Sequence, residues 1–424
     1  MRRALTMEET RKTVIVKVFI FMIATTAVPA WSALEDGLIN SGLNHRTADL
    51  ERLVRTIRTL QARGALSGEL SDLVDSLDST SDVSGLRARL LNLLPDVNRQ
   101  TYHRERRKGF NTKPIQFRST PNQSAPGNSW GNVLWLDTSQ TYQPATNLWL
   151  QSWNDTTEQD GVTGFDDFEA DTTGYAIGID RELTQNWSLS LSLGTETTDI
   201  DSSIFGEDEV DSHRATVGLN YTRGRHFFGL SWQQSRAETD RLRVLFVPTL
   251  SGFRRLSLNS DFVTKRDGAQ ISYSTYLEPT TSFTVTPFVT ASYSQLDTDN
   301  YNERGGDTLS LNVDTDTQSQ LFATAGVSLS WLKFGETWSF SPSVTAAVEH
   351  DFESDVTTTT SRFQGTDARF VTTGHDLTET RWRAAASMSA LYRDKASLSL
   401  SYETNRKDDY SYEGVILALQ VRVD

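Results

Sequence analysis

The sequence predicts an all-β transmembrane barrel of about 12 antiparallel strands, closed on itself and preceded by a small α-helical N-terminal segment. Three observations predict it. First, from Asn147 to Val423 the chain repeats segments in which every second side chain is apolar: Trp187, Leu189, Leu191 and Leu193 alternate with Ser188, Ser190 and Ser192. Successive side chains of a strand point to opposite faces, so each segment has one apolar and one wet face. Second, the wet face is filled with Ser, Thr, Gly, Asn and Gln, and aromatics gather at the ends of the apolar face, as lipid outside and water inside require. Third, short and long connections alternate. Those after the even-numbered strands are short (182–185, 223–224, 278–281, 333–336, 393–394), and those after the odd-numbered strands are mostly long.

The elements follow in order. Residues 1–30 read as a cleaved signal peptide: Arg2, Arg3, Arg11, Lys12 and Lys17 precede the apolar run Val18–Ala30, which is too short for a membrane helix and ends in small residues. Met7 is an alternative start. Residues 31–102 form a short helical segment. Leu50, Leu53, Val54, Ile57 and Leu60 follow helical spacing, as do Leu66, Leu70, Leu73, Val74 and Leu77, then Leu86, Leu90, Leu91 and Leu94, with Ser84 as cap and Pro95 as terminator. Residues 103–146 are a polar and basic linker, with Pro114, Pro121 and Pro126 in it and a possible extra strand at 131–138. The barrel occupies 147–424, with strands near 147–154, 171–181, 186–197, 211–222, 225–237, 260–277, 282–296, 319–332, 337–350, 380–392, 395–403 and 410–423.

Composition narrows the class. Mean hydropathy is −0.44, and no stretch beyond the N-terminus has the apolar length of a membrane helix. A barrel escapes that test because only alternate residues meet lipid. Cysteine is absent, which suits passage through an oxidising periplasm and equally an ordinary cytosolic chain. Residues 1–110 carry 17 Lys or Arg against 13 Asp or Glu, leaving 24 against 42 in the remainder. So acidic a barrel is a poor partner for nucleic acid.

Several segments together resemble one family, the translocator β-domain of autotransporters of type V secretion. NLWLQSW at 147–153 is similar to the family's opening strand, and DTTGYAIGID at 171–180, followed by Asn186 and Trp187, resembles its glycine-rich second strand and the turn beyond it. YNERGGDTLSL at 301–311 resembles the acidic-glycine segment before a long strand, and Leu90–Tyr102 the helical junction before the barrel. The resemblance implies a barrel in the bacterial outer membrane that passes an N-terminal passenger to the cell surface. It also implies outer-membrane lipid, lipopolysaccharide, the barrel assembly machinery and periplasmic chaperones as partners, a monomeric state and no cofactor. The chain departs from the pattern in two ways. The residues before the barrel lack the glycine- and asparagine-rich repeats of a β-helical passenger, and Val415, Leu417, Leu419, Val421 and Val423 lead to a terminal Asp424 instead of an aromatic residue.

Signs of catalysis are absent from the pattern. Of the six histidines (His45, His103, His213, His226, His350, His375) none lies in a zinc-helix spacing, and none has a serine two residues on, as a catalytic pair sharing one strand face would. His213, sharing a face with Asp211, Ala215, Val217 and Leu219, is expected at the outer interface. Two charged clusters admit two readings each. Asp155, Glu158, Asp160, Asp166, Asp167 and Glu169, then Asp199, Asp201, Glu207, Asp208 and Glu209, are solvated external loops or a divalent-cation site. Arg241, Arg243, Arg254 and Arg255 around the apolar run Val244–Pro248 either contact lipopolysaccharide phosphates or belong to an extended hairpin paired with nearby acids.

The expected lipid-facing residues are Tyr175, Ile177, Leu189, Leu191, Val217, Leu219, Val327, Leu329, Leu398, Leu400, Leu417 and Leu419. The function expected is a barrel that translocates or displays its own short N-terminal segment. A passive outer-membrane channel, or a surface structural or adhesive barrel with no exported passenger, is the alternative.

Overall fold

Twelve strands form the barrel: β1 (Thr146–Gln159), β2 (Phe168–Glu182), β3 (Trp187–Ser202), β4 (Gly206–Arg223), β5 (His226–Thr249), β6 (Gly252–Thr275), β7 (Phe283–Thr298), β8 (Gln318–Trp331), β9 (Trp338–Asp351), β10 (Thr380–Tyr392), β11 (Ala396–Lys407) and β12 (Tyr410–Val423). They belong to a computed structural model that describes residues 46–78, 90–95, 97, 117–119, 134–136 and 144–423, apart from short gaps at 162–164, 203–205, 250–251, 354–355, 375–378, 394 and 408. Each strand pairs antiparallel with its sequence neighbour, and β12 returns to β1 from Tyr410 opposite Gln159 to Val423 opposite Thr146. Closure leaves no edge, so backbone groups that lipid could not satisfy are paired within the barrel.

The period-two pattern sets the two faces. In β2 exposure alternates along the strand, with Tyr175 and Ile177 outward and Ala176 and Gly178 inward. Two inward tryptophans shape the lumen wall at the closing seam. A Cβ on Gly174 would lie 2.2 Å from the Trp153 indole, and one on Gly178 would lie 2.2 Å from Trp149, so both rings lie flat on the neighbouring strand only because glycine is there. At the rim where the chain enters and leaves the barrel, here the near rim, outward aromatics pair across strands. Trp187 and Tyr221 have ring centroids 4.8 Å apart, Phe283 and Trp331 5.2 Å, and Trp338 and Tyr392 5.0 Å.

Two helices precede the barrel, α1 (Arg46–Ala62) and α2 (Gly68–Asp78). Of the third expected helix, Leu90 and Leu91 are helical, while Leu86 and its cap Ser84 lie outside the described residues, as does the signal peptide. The extra strand expected at 131–138 is present as Leu134–Leu136, paired in parallel with Phe117–Ser119.

Two expectations are corrected. The acidic residues read as loops stand largely on strands: Asp155 and Glu158 on β1, Glu169 on β2, Asp199 and Asp201 on β3, and Glu207, Asp208 and Glu209 on β4. The strands expected to end near 237 and resume near 260 instead run on as the extended hairpin that is one of the two readings of this region, paired from His226 opposite Thr275 to Thr249 opposite Gly252. In both places backbone pairing continues past the level where outward side chains stop being apolar, because the ladder does not depend on what the side chains face.

Candidate functional site: the capped rim of the barrel

Opposite the near rim, the strands end in hairpins and long connections that build a second structure. The connection after β7 supplies Tyr301–Asn302 and Leu311–Thr315, and the connection after β9 supplies Thr358–Phe363 and Arg369–Thr373; together they make a four-stranded sheet. The amphipathic helices pack on it. Leu50, Leu53, Ile57 and Leu60 of α1 and Leu70, Leu73 and Leu77 of α2 share one buried core with Leu90, Leu93 and Leu94, with Leu245, Leu258 and Phe262 of the β5–β6 hairpin, and with Leu309, Leu311, Phe363 and Phe370 of the connections. Helices this short are marginal alone; this shared face is what stabilises them.

Polar contacts fix the docking. Thr373 N donates to Asp49 Oδ2 at 3.0 Å, Arg52 Nε to the Val371 carbonyl at 3.2 Å, and Thr56 Oγ1 to the Arg369 carbonyl at 3.2 Å, so α1 is tied along one strand of the sheet. Leu70 N, at the start of α2, donates to Thr308 Oγ1 at 3.0 Å, and that hydroxyl donates to the Ser67 carbonyl at 3.0 Å.

Two arginines lie beneath this cap. Arg241 is 3% exposed and grips Asp208 through Nε and Nη2, the latter at 2.6 Å, with its guanidinium 5.1 Å over the Phe262 ring. Arg243 is 1% exposed, with Nε and Nη2 each 2.6 Å from a different oxygen of Glu303 and Nη1 donating to the Asn92 carbonyl at 3.1 Å. Glu303 also accepts from Leu311 N at 2.9 Å. One charge pair thus joins barrel strand, connection and N-terminal segment.

For Arg241 and Arg243 the lipopolysaccharide reading is therefore corrected and the extended hairpin paired with nearby acids holds: both point inward, with donors on buried carboxylates, the Tyr301 hydroxyl and the Asn92 carbonyl. Arg254 and Arg255 are exposed on β6, and Arg254 pairs with Glu69 of α2. Of the residues expected to face lipid, Tyr175, Ile177, Leu191, Val217, Val327, Leu398, Leu400, Leu417 and Leu419 are exposed on the outer face, and Leu189, Leu219 and Leu329 are half-buried there. His213 is exposed on the same face of β4. Sequence reasoning missed Asp49 and Glu303, and it placed Asp208 in a solvated or cation-binding acidic cluster and not opposite Arg241; nothing local marks a carboxylate whose partner is far along the chain.

Burial within the cap pushes the Tyr301 phenol above its ordinary value of 10.0, partly offset by the Arg241 charge beside it. A folded-state pKa above the unfolded one means that the neutral phenol favours the folded cap. That contribution is complete below about pH 10 and is lost as pH rises through the folded value. Amide exchange of α1 should accelerate in that alkaline window in the natural chain and less so in Tyr301→Phe; equal acceleration in both would remove Tyr301 from the account.

Among the described residues no group of His, Cys, Asp or Glu is arranged to hold a metal ion. A closed twelve-stranded barrel with an apolar outer face and short turns at the rim of its termini defines an outer-membrane-type β-barrel protein. A family model described as the autotransporter beta-domain matches residues 148–403, more than half of the chain, and the protein belongs to that family. Membership implies the outer membrane as its place and a transport barrel, not a catalyst, as its kind. Among solved structures, the translocator domain of the autotransporter NalP from Neisseria meningitidis is similar over 67% of this chain and 90% of that one, at 15% identity and a TM-score of 0.51. The beta domain of the Bordetella autotransporter Brka is similar over 65% and 99%, at 13% identity and a TM-score of 0.48. At 15% identity the NalP likeness speaks to the fold alone. No curated protein matches the chain.

Proposed function

We propose that this barrel displays its own short N-terminal segment at the cell surface, where the segment stays docked as a cap on the barrel that carried it. One observation supports the reading above the others. The helices share a core with connections at the rim farthest from Thr146, where the chain enters the barrel. In an outer-membrane barrel the short turns face the periplasm and the long connections face outward, so the helices belong to the external side. The two rims are joined by a polar lumen lined by residues such as Gln151, Ser190 and Ser272, which offers hydrogen-bond partners that lipid does not.

On this reading the outward apolar side chains contact outer-membrane lipid, and assembly depends on the insertion machinery and periplasmic chaperones that serve such barrels. The test is an epitope placed in the exposed turn between α1 and α2, at residues 63–67. Intact cells should bind the antibody as well as permeabilised ones. Labelling that requires permeabilisation would put the helices in the periplasm and end the reading.

A further inference from the structure

The apolar belt around the barrel is uneven in height. Counting outward-facing residues upward from the near-rim turns, β8 is apolar from Trp331 through Val327 and Ala325 to Leu321, and β10 from Tyr392 through Met388 and Ala386 to Trp382. The opposite side stops sooner. On β3 the apolar run Trp187 to Leu193 gives way at Thr195, on β5 Phe228 to Trp232 gives way at Gln234, and on β6 Tyr273 to Ala269 gives way at Asp267. Aromatics stand at the first or second outward position on both sides, Trp187, Phe228 and Tyr273 on one and Trp331 and Tyr392 on the other, so the two belts start within one outward position of each other and a tilt of the whole barrel does not account for the difference. With about 3.4 Å per residue and strands tilted about 40°, the apolar run is roughly 25 Å tall on β8 and β10, roughly 15 Å on β3 and roughly 10 Å on β5 and β6. A typical belt is about 25 Å.

We infer that the barrel thins the membrane on its β3–β6 side by roughly 10 Å relative to its β8–β10 side, through the partner it selects there: a compressed lipid surface whose headgroups reach down to the level of Thr195 and Gln234. A covering protein is the less fitting occupant. Above the belt, outward carboxylates stand directly opposite one another, Asp171 against Asp199, Asp199 against Glu209, and Glu209 against Asp240. Like charges so placed repel and are relieved by water and counterions, not by burial. The longer belt on the far side fixes the other boundary, so lipid thickness changes around one molecule.

The chain contains no cysteine, so single cysteines can be placed in the full-length protein without a prior change. Thr195→Cys and Gln234→Cys on the short side, and Ala323→Cys and Ala384→Cys equally far from their turns on the tall side, would carry nitroxide labels in liposomes. Collision with a water-soluble nickel chelate should exceed collision with oxygen at the first two positions, and the order should reverse at the last two. Four labels with the same oxygen-dominated exposure would overturn the inference, and so would labels at 195 and 234 shielded from both reagents, since that is a covering protein. Should a label disturb assembly, Gln234→Arg and Ala384→Arg give a second reading. The first should keep the natural yield of heat-modifiable barrel and the second should lose it several-fold; equal losses would also overturn the inference.

Discussion

Glu303→Ala should release the cap from the barrel while leaving the barrel closed. The substitution strips Arg243 of both of its carboxylate contacts and Leu311 N of its acceptor, in a place where Arg243 has almost no access to water. Breaking a buried ion pair by removing one partner costs roughly 3–5 kcal/mol, because the remaining charge is left uncompensated. Amide exchange of α1 should therefore rise by roughly two to three orders of magnitude if opening of the cap limits exchange. The barrel should still migrate as a heat-modifiable species, since the pair lies beyond the apolar belt. Replacing both members with apolar residues, Arg243→Met with Glu303→Leu, should restore much of the protection, as removal of a whole buried pair is often nearly neutral. Unchanged exchange in Glu303→Ala would mean that the helices are held by the apolar core alone.

The second large effect concerns the outer face. Leu400 is exposed midway up the β11 strip, between Leu398 and Tyr402. Leu400→Arg should cost roughly 2–4 kcal/mol of folding free energy in liposomes, the depth-dependent penalty for a cation near the bilayer midplane. Ser401→Arg, one residue on and facing the lumen, should cost far less. A barrel equally indifferent to both would not have lipid against β11. Together the two substitutions separate the cap from the barrel: one disturbs the former at constant membrane insertion, the other the reverse.

Legibility from sequence differs between these two regions for a physical reason. Leu400 announces its face because every neighbour two residues away on β11 within the belt is also apolar, and that period is local. Arg241 and Arg243 do not. Past Gln234 the outward residues of β5 become Arg236, Glu238 and Asp240, while Arg241 and Arg243 face inward, so both faces carry charge and the alternation that marks a strand disappears. The strands then read as ending near 237 and resuming near 260, and the arginines between them admit both a phosphate contact and an extended hairpin paired with nearby acids. Their partners, Asp208 and Glu303, lie 33 and 60 residues away, beyond any spacing rule.

What the sequence alone determined is the barrel itself: the number of its strands, their inward and outward faces, and the side on which the short turns close. Each of these follows from a repeat of two residues and from turns a few residues long, interactions between near neighbours that chemistry writes directly into the chain. Only the tertiary structure decided how far the hairpins continue beyond the belt, which carboxylates meet Arg241 and Arg243, and that the N-terminal helices and the connections after β7 and β9 share one core. Those outcomes depend on groups brought together from opposite ends of the chain once the barrel has closed, and closure is what creates the rim on which they meet.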